Sequence, residues 1–457
     1  MADPLDRCGG DAVPLRDYQR DGVAQIRDAL RRVRRVVYAL PTGGGKSYVF
    51  AYVVAGAVAK KRRALVLAHR AEILDQISAV LTRIGVPHGR VQPGHPATNH
   101  PVQVGSVMTV ARRLATLPAP DLIVVDEAHH AVASSWARIT EAWPGAYVLG
   151  VTATPTRLDG RGLRDAFDEM VEGPDVRALI DAGWLAEYSY YAPRLAVDLS
   201  GLRIVAGDYL PHDLAARLDR PTITGDAIAH YRRHLGGRTA IAFCCTVAHA
   251  EHVACDFRAA GIPAASIDGA MRPGERAALV EMLRCGAIRV LTSCDLISEG
   301  FDAPAVGGAI LLRPTASLAL HRQQIGRCLR PKGDGSRAVI LDHVGNVDRH
   351  GLPDAPLRWT LDGRRSANAD ASDGIEGGGG GVRTQPDEIA GELDVIDPLP
   401  AWAGGLDIRA ARGPEWRELL RRAAGREDRL RQIQVARGYH PGWIWHALSK
   451  HKPEVRA

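Results

Sequence analysis

The chain reads as an α/β protein of two tandem, doubly wound parallel-sheet domains with a small helical basic C-terminal segment. Three observations predict this. Short β-branched runs alternate with helical stretches between residues 36 and 126, and the same rhythm returns between 239 and 341. The runs are apolar at nearly every position, as strands covered on both faces of a parallel sheet are. At 457 residues the chain also exceeds one ordinary core, so two or three domains are expected.

In the first half the predicted strands are Arg35–Ala39, Ala64–Ala68, Val102–Val104, Leu122–Val125 and Tyr147–Val151. Each ends where polar or Gly-rich residues begin, which places those residues on loops at the carboxyl ends of strands. The stretch Thr156–Gly183 reads as helical. Strands resume at Thr239–Cys244, Ala264–Ile267, Val290–Thr292, Gly308–Leu312 and Ala338–Leu341. The two halves share an architecture without a literal sequence repeat. The predicted division is 1–183, 184–360, a flexible acidic and Gly-rich linker over 361–408 around Gly377–Gly381, and a basic helical tail over 409–457. In the tail, Trp416, Leu419, Leu420, Ala423, Leu430 and Ile433 mark an apolar helix face, with Gly425 as a break.

Composition narrows the class. With 46% hydrophobic and 24% charged residues the chain is that of a globular protein. Lys and Arg total 58 against 52 acidic residues, a net charge of +6, which is only a mild hint of a polyanionic partner. The charge is unevenly placed: residues 370–397 hold eight acidic side chains and one Arg, and residues 409–457 hold twelve Lys or Arg and five acidic groups. Seven scattered cysteines include no C-x-x-C pair, so reduced thiols are expected rather than a zinc site. The longest near-apolar run, Tyr48–Ala59, is too short to cross a bilayer, and residues 1–10 lack the basic and apolar regions of a signal peptide. A cytoplasmic protein without a membrane partner is expected.

Leu40-Pro-Thr42-Gly43-Gly44-Gly45-Lys46-Ser47 follows a predicted strand and opens a helix. In that setting glycines let backbone N–H groups converge on phosphate oxygens, and the helix N-terminus adds a positive end. Lys46 reaches the β- and γ-phosphates and Ser47 offers its hydroxyl to Mg²⁺. The general pattern has Gly where Leu40 stands. The second strand of the site, Leu122–Val125, delivers Asp126 and Glu127. Asp126 is placed to hold the metal through water, and Glu127 to polarise an attacking water. An exposed acidic pair on a loop is the bland reading, and an apolar strand ending in Asp-Glu after a phosphate loop argues against it.

These residues resemble superfamily 2 helicases over roughly residues 14–345. Lys46 and Ser47 resemble motif I, and Asp126-Glu127-Ala128-His129 spells the DEAH box of motif II, which brings His129 into the candidate set. Thr152-Ala-Thr-Pro155 resembles motif III. Leu15-Arg16-Asp-Tyr-Gln19 resembles the segment upstream of motif I, making Gln19, with Arg16 beside it, the adenine candidate. Gln323-Gln-Ile-Gly-Arg327-Cys-Leu-Arg330 resembles motif VI, whose arginines act on the γ-phosphate. Gly300-Phe-Asp302 belongs to a segment from Leu291 that resembles motif V and includes Thr292. His69 and Arg70 resemble motif Ia, Ser106–Thr109 motif Ib, and Phe243–Thr246 motif IV; these would touch the nucleic-acid backbone.

The resemblance implies two RecA-like domains, ATP and Mg²⁺ as cofactors, and nucleic acid, DNA rather than RNA, as partner. Ile340–Gly351 and Gly438-Tyr-His-Pro-Gly-Trp443 resemble RadD-like bacterial and phage DNA helicases, implying a bacterial or phage-infected cell. The tail is then the candidate contact for replication or repair proteins. Its Trp443 and Trp445 have packing and base stacking as alternatives. Two other functions stay open: a duplex translocase or restriction-complex motor that separates no strands, and a nucleotide-gated binding protein with negligible turnover.

Overall fold

The computed structural model describes residues 14–96, 98–130, 134–157, 161–193, 199, 201–205, 207–219, 221–294, 306–365, 393–396, 408, 411, 413–423, 426–437 and 439. The candidate residues Gly300 and Asp302, the glycine run Gly377–Gly381 and the aromatics Trp443 and Trp445 lie outside them. The described residues fall into two compact units, one of 14–179 and 358–365, the other of 180–357 and 393–439.

The first unit runs α1 Asp17–Arg32, β1 Arg35–Ala39, α2 Lys46–Ala59, β2 Ala64–Ala68, α3 Ala71–Arg83, β3 His88–Val91, β4 Val102–Ser106, α4 Val107–Arg113, β5 Leu122–Asp126, α5 Ser134–Ala142, β6 Tyr147–Thr152, β7 Glu169–Glu172 and α6 Val176–Asp181. Its seven strands are all parallel, in the order β3-β4-β2-β5-β6-β1-β7. Alternation sorts the side chains of each strand onto two faces. Val36 and Tyr38 enter the core under α1, α2 and α3, whereas Val37 enters the opposite core under α4 and α5. Leu122 and Val124 join the first core, and Ile123 and Val125 the second. Helix α2 buries six residues in succession, Val49–Val54, which is why its sequence shows no polar face.

Gly150 on β6 has a steric reason: a Cβ there would stand 2.4 Å from Phe167 Cζ and 2.7 Å from Ala128 Cβ. The helical reading of Thr156–Gly183 is corrected. Residues Glu169–Glu172 add to β1 as an edge strand, and among the described residues of the stretch only Val176–Asp181 is helical. The strand is fixed from its start, where Arg35 pairs with the Asp168 carboxylate and the Asp168 N–H donates to Arg35 O at 2.7 Å.

The second unit contains β8 Tyr188–Pro193, β9 Ile204–Val205, β10 Asp208–Tyr209, α7 Pro211–Leu218, α8 Pro221–His230, β11 Ala240–Phe243, α9 Val247–Ala259, β12 Ala264–Ile267, α10 Pro273–Arg284, β13 Val290–Ser293, β14 Gly308–Leu311, α11 Leu318–Gly326, β15 Ala338–Asp342 and α12 Asn346–His350. Its sheet has the order β12-β13-β11-β14-β15-β8-β18, where β18 is Leu393–Val395 and alone runs antiparallel, against β8. A small separate ribbon pairs β9 with β10.

After α12 the chain returns to the first unit as the hairpin β16 Arg358–Thr360 and β17 Gly363–Arg365. Leu361 at its turn is buried with Leu163, Phe167, Trp136 and Ala128, and its carbonyl accepts the N–H groups of Leu163 at 2.7 Å and Arg164 at 3.0 Å. The stretch 361–408 is therefore not linker throughout: Leu361 fills a core and Leu393–Val395 extends a sheet. The tail forms α13 Gly413–Ala423 and α14 Glu427–Arg437.

Candidate nucleotide and nucleic-acid site

Strand β1 ends at Ala39, and the next six residues turn back before α2 begins at Lys46. Gly43 and Gly45 adopt φ of 86° and 84°, the left-handed region that glycine enters without a Cβ penalty. The turn leaves Lys46 and Ser47 half-buried at the N-terminus of α2. Candidate residues Arg16, Gln19, Thr42, Gly43, Gly44, Gly45, Lys46 and Ser47 are thus brought together by α1 packing beside the loop. Gln19 is buried, accepts the Arg16 N–H at 3.0 Å and donates to Gly44 O at 3.1 Å. A Cβ on Gly45 would meet Gln19 Nε2 at 2.3 Å. Tyr18, which the sequence reading did not single out, donates its hydroxyl to the same Gly44 carbonyl at 2.8 Å. The only sequence signal for it was its place beside Gln19.

Sheet order puts β6 between β1 and β5, so the loop after β6 lies between the phosphate loop and Asp126. Asp126 and Glu127 are both buried. Burial, and then the negative charge of Glu127, push the Asp126 carboxyl up to about 7, while the Lys46 charge and the Glu127 N–H pull it down. A buried carboxylate raised in this way gains from a cation at its side. Glu127 has φ of 52°, uncommon for a residue with a side chain and of the kind that gathers at functional sites. Its Oε2 lies 3.5 Å from His129 Nδ1. His129 Nδ1 is in turn 3.1 Å from Thr152 Oγ1, which accepts the Thr154 N–H at 3.1 Å and donates to Thr154 O at 3.0 Å. One buried chain of contacts therefore joins Glu127, His129, Thr152 and Thr154.

The same rim of the first sheet carries the backbone-contact candidates on its other half. His69 and Arg70 follow β2, and Ser106 ends β4. Ser106 Oγ accepts the Thr109 N–H at 3.2 Å and donates to Thr109 Oγ1 at 2.7 Å, so this pair caps α4.

In the second unit Thr246 caps α9 by accepting the His249 N–H at 3.1 Å. Thr292 is corrected: it is fully buried on β13, and its hydroxyl donates to Ala250 O at 2.7 Å, so it is not available to nucleic acid. The strand faces α9 at that position. Helix α11 begins on a Ser317 cap and holds Gln323 buried, with Arg327 buried just past its end and Arg330 half-buried beyond. Gln323 Nε2 has no hydrogen-bond partner among the described residues. A buried amide left in this way suits a ligand contact.

The loop before α11 is held by the 340–351 segment. Asn346 accepts the Thr315 N–H at 3.1 Å and donates to Arg313 O at 3.0 Å, and His350 Nε2 lies 2.8 Å from Thr315 O. Asp342 accepts from Tyr190 Oη at 3.0 Å and from the Val347 N–H at 2.9 Å. The tail docks nearby. Arg431 on α14 pairs with Asp348 at 2.8 Å and donates to Pro193 O at 2.7 Å, and Arg437 stacks 4.1 Å over the Trp416 ring.

Residues 12–157 match the family described as type III restriction enzyme, res subunit, and residues 225–332 match the helicase conserved C-terminal domain. A 51.5 kDa protein of Lactococcus phage (isolate 7-9) is 38% identical over 322 residues, covering 70% of this chain and 68% of its own. The DNA 3'-5' helicase XPB of Mycobacterium tuberculosis is 28% identical, covering 72% of this chain and 60% of its own length. The chain thus spans less than two thirds of that relative. A solved fragment assigned as an HsdR subunit of a type I restriction enzyme from Vibrio vulnificus YJ016 superposes with a TM-score of 0.61 at 21% identity, covering 77% of this chain and 68% of that one. Two units, each built on a sheet whose strands are parallel apart from β18, are the tandem RecA-like fold. The chain belongs to the superfamily 2 helicases.

Proposed function

We propose that this chain is an ATP-driven translocase and helicase acting on DNA. The observation that carries the reading is the buried Asp126–Glu127 pair on the same rim as a glycine cradle, with Lys46 close enough to offset the charge of Asp126. In this reading Gly43, Gly44 and Gly45 cradle phosphates, Thr42 borders them, and Lys46 binds β- and γ-phosphate oxygens. Ser47 would hold Mg²⁺ by its hydroxyl and Asp126 would hold it through water, both offering the hard oxygen that this ion prefers. Bound there, Mg²⁺ neutralises phosphate charge.

Glu127 orients the attacking water, and His129 holds Glu127 and reports its state to Thr152. Arg327 and Arg330 neutralise charge on the transferring phosphoryl group, a role worth about 10³–10⁵ in rate for a guanidinium, and Gln323 donates a hydrogen bond to it. Arg16 and Gln19 read the adenine edge, and Gly300 and Asp302 complete the nucleotide contacts. His69, Arg70, Ser106, Thr109 and Thr246 face the nucleic-acid backbone, so binding is salt-sensitive and indifferent to sequence.

The match to the restriction-enzyme family supports a second reading, a duplex translocase within a larger complex. Unwinding of forked DNA set against displacement of a triplex strand separates the two. The RadD-like affinity rests on residues 340–351 and 438–443, and the tail is proposed to meet replication or repair proteins.

The test is ATP hydrolysis with single-stranded, duplex and forked DNA and with RNA in parallel. DNA should stimulate most, and Lys46→Ala should abolish turnover while DNA binding persists. Turnover retained in that variant overturns the assignment.

A further inference from the structure

We propose that the amino-end rim of the first sheet is a second nucleic-acid site, which holds a single strand by Arg34, Lys60, Lys61 and Arg63 and stacks its bases on Tyr147. It lies at the opposite ends of the strands from the nucleotide residues. The proposal goes beyond the motor reading and needs neither ATP nor hydrolysis.

Two cationic runs lead into strands of this sheet. Arg31, Arg32, Arg34 and Arg35 precede or open β1, and Lys60, Lys61, Arg62 and Arg63 precede β2. The strand order β2-β5-β6-β1 sets the runs three strand spacings apart. The register is level across them, since Leu65, Ile123, Val148 and Arg35 form one row. At ~4.8 Å per spacing the runs stand about 14 Å apart, the length of about four phosphates at the ~3.4 Å of a stacked strand. Hydrogen bonds lace the rim together. Arg63 O accepts the Asp121 N–H at 2.9 Å, Asp121 O the Tyr147 N–H at 2.9 Å, and Arg34 O the Val148 N–H at 2.8 Å.

Half of these cations are already answered by carboxylates. Arg31 and Arg32 pair with Asp28, Arg32 also with Glu169, Arg35 with Asp168 and Arg62 with Asp121. The other four have no such pair among the described residues. Lys60 and Lys61 are exposed, and Lys61 takes φ of 59° just past the end of α2, where glycine is the common residue. Arg63 donates to Asn99 Oδ1 at 3.2 Å, and its Nη1 has no partner among the described residues. Arg34 donates to Gly145 O at 2.6 Å and stands 5.4 Å from the centre of the Tyr147 ring.

The aromatics select the kind of polyanion. Tyr147 is 41% exposed, and with Trp136, Trp143 and Arg34 it lines an open cleft of about 900 Å³. Trp136 is buried, and its Nε1 donor has no partner among the described residues, as suits a ligand that brings an oxygen. Cations hold phosphates and rings hold bases, so a groove that interleaves the two binds single strands with little regard to sequence. A duplex hides the faces of its bases, and an acidic peptide has no bases to stack.

The experiment titrates the full chain, without nucleotide, with short fluorescent oligo-dT. The triple variant Arg34→Ala, Lys60→Ala, Lys61→Ala should bind one strand fewer per chain than the wild type. Tyr147→Ser should weaken that site about tenfold. The site should show a slope of log affinity against log salt of about −3, from about four phosphates at ~0.7 each. Photocrosslinking of the wild type to strands carrying 5-iododeoxyuridine needs no substitution and should mark Tyr147 or Trp143. Crosslinks confined to the opposite rim overturn the proposal, as does an unchanged stoichiometry in the triple variant. Poly-aspartate taken up at this rim while oligo-dT leaves it unmarked overturns it in favour of an acidic protein segment. A wild type without DNA-stimulated hydrolysis sinks the motor reading instead, and the crosslinks still decide for or against this site.

Discussion

Replacing Thr152 by Val tests whether the contact chain behind the DEAH box is a working part of the first unit. Valine keeps the shape and removes the hydroxyl. Thr152 is fully buried, so no water replaces what is lost. The Thr154 N–H loses its acceptor at 3.1 Å, and the Thr154 carbonyl loses its donor at 3.0 Å. An abandoned buried polar group costs about 1–3 kcal/mol, so two cost about 2–6 kcal/mol. For a unit of this size that lowers the melting midpoint by roughly 5–20 °C. The assay is calorimetry of wild type, Thr152→Val and Thr152→Ser, with ATP hydrolysis measured beside it. The serine variant retains the hydroxyl and should recover most of both. A valine variant that melts within about 1 °C of wild type would refute the reasoning, because the unpaired groups would then carry none of their usual penalty.

Two further outcomes follow from burial elsewhere. Leu361→Ala empties a site that is 7% exposed in the first unit, so a loss of about 2–5 kcal/mol is expected in its denaturant midpoint, against no change if the hairpin merely rests on the surface. In the second unit, burial holds His343 down to about 3 and His321 well below its ordinary value. A depressed histidine binds fewer protons folded than unfolded, so its contribution is whole above 6.5 and drains as pH falls from there towards 3, by up to about 1.4 kcal/mol per pH unit. The buried carboxyls Asp342 and Asp348 are raised and act in the opposite sense. The His343 share is therefore read by difference: His343→Gln should flatten the dependence of stability on pH below 6.5, and an unaltered slope would contradict it.

The chemistry-bearing strands were legible because they are covered on both faces. Leu122–Val125 is apolar without a break, so Asp126 and Glu127 stand out at its end. Edge strands gave no such contrast. Glu169–Glu172 begins and ends on a carboxylate, and His88–Val91 carries His, Gly and Arg, because an edge has fewer neighbours to demand apolar side chains. Motif position misled at Thr292, where strand alternation turns the hydroxyl inward. Tyr18 escaped for another reason. Its partner stands 26 residues away, and no local pattern encodes such a pairing.

Leu361 carries a consequence for biosynthesis. The chain lays down residues 180–357 of the second unit before it supplies the residue that finishes the interior of the first. During translation the amino-terminal half must wait, with an apolar notch lined by Leu163, Phe167 and Trp136, until more than 180 further residues have left the ribosome. A gene fragment stopped at residue 183 would leave that notch open for good, and its product is expected to be stickier and less durable than the same stretch within the whole polypeptide.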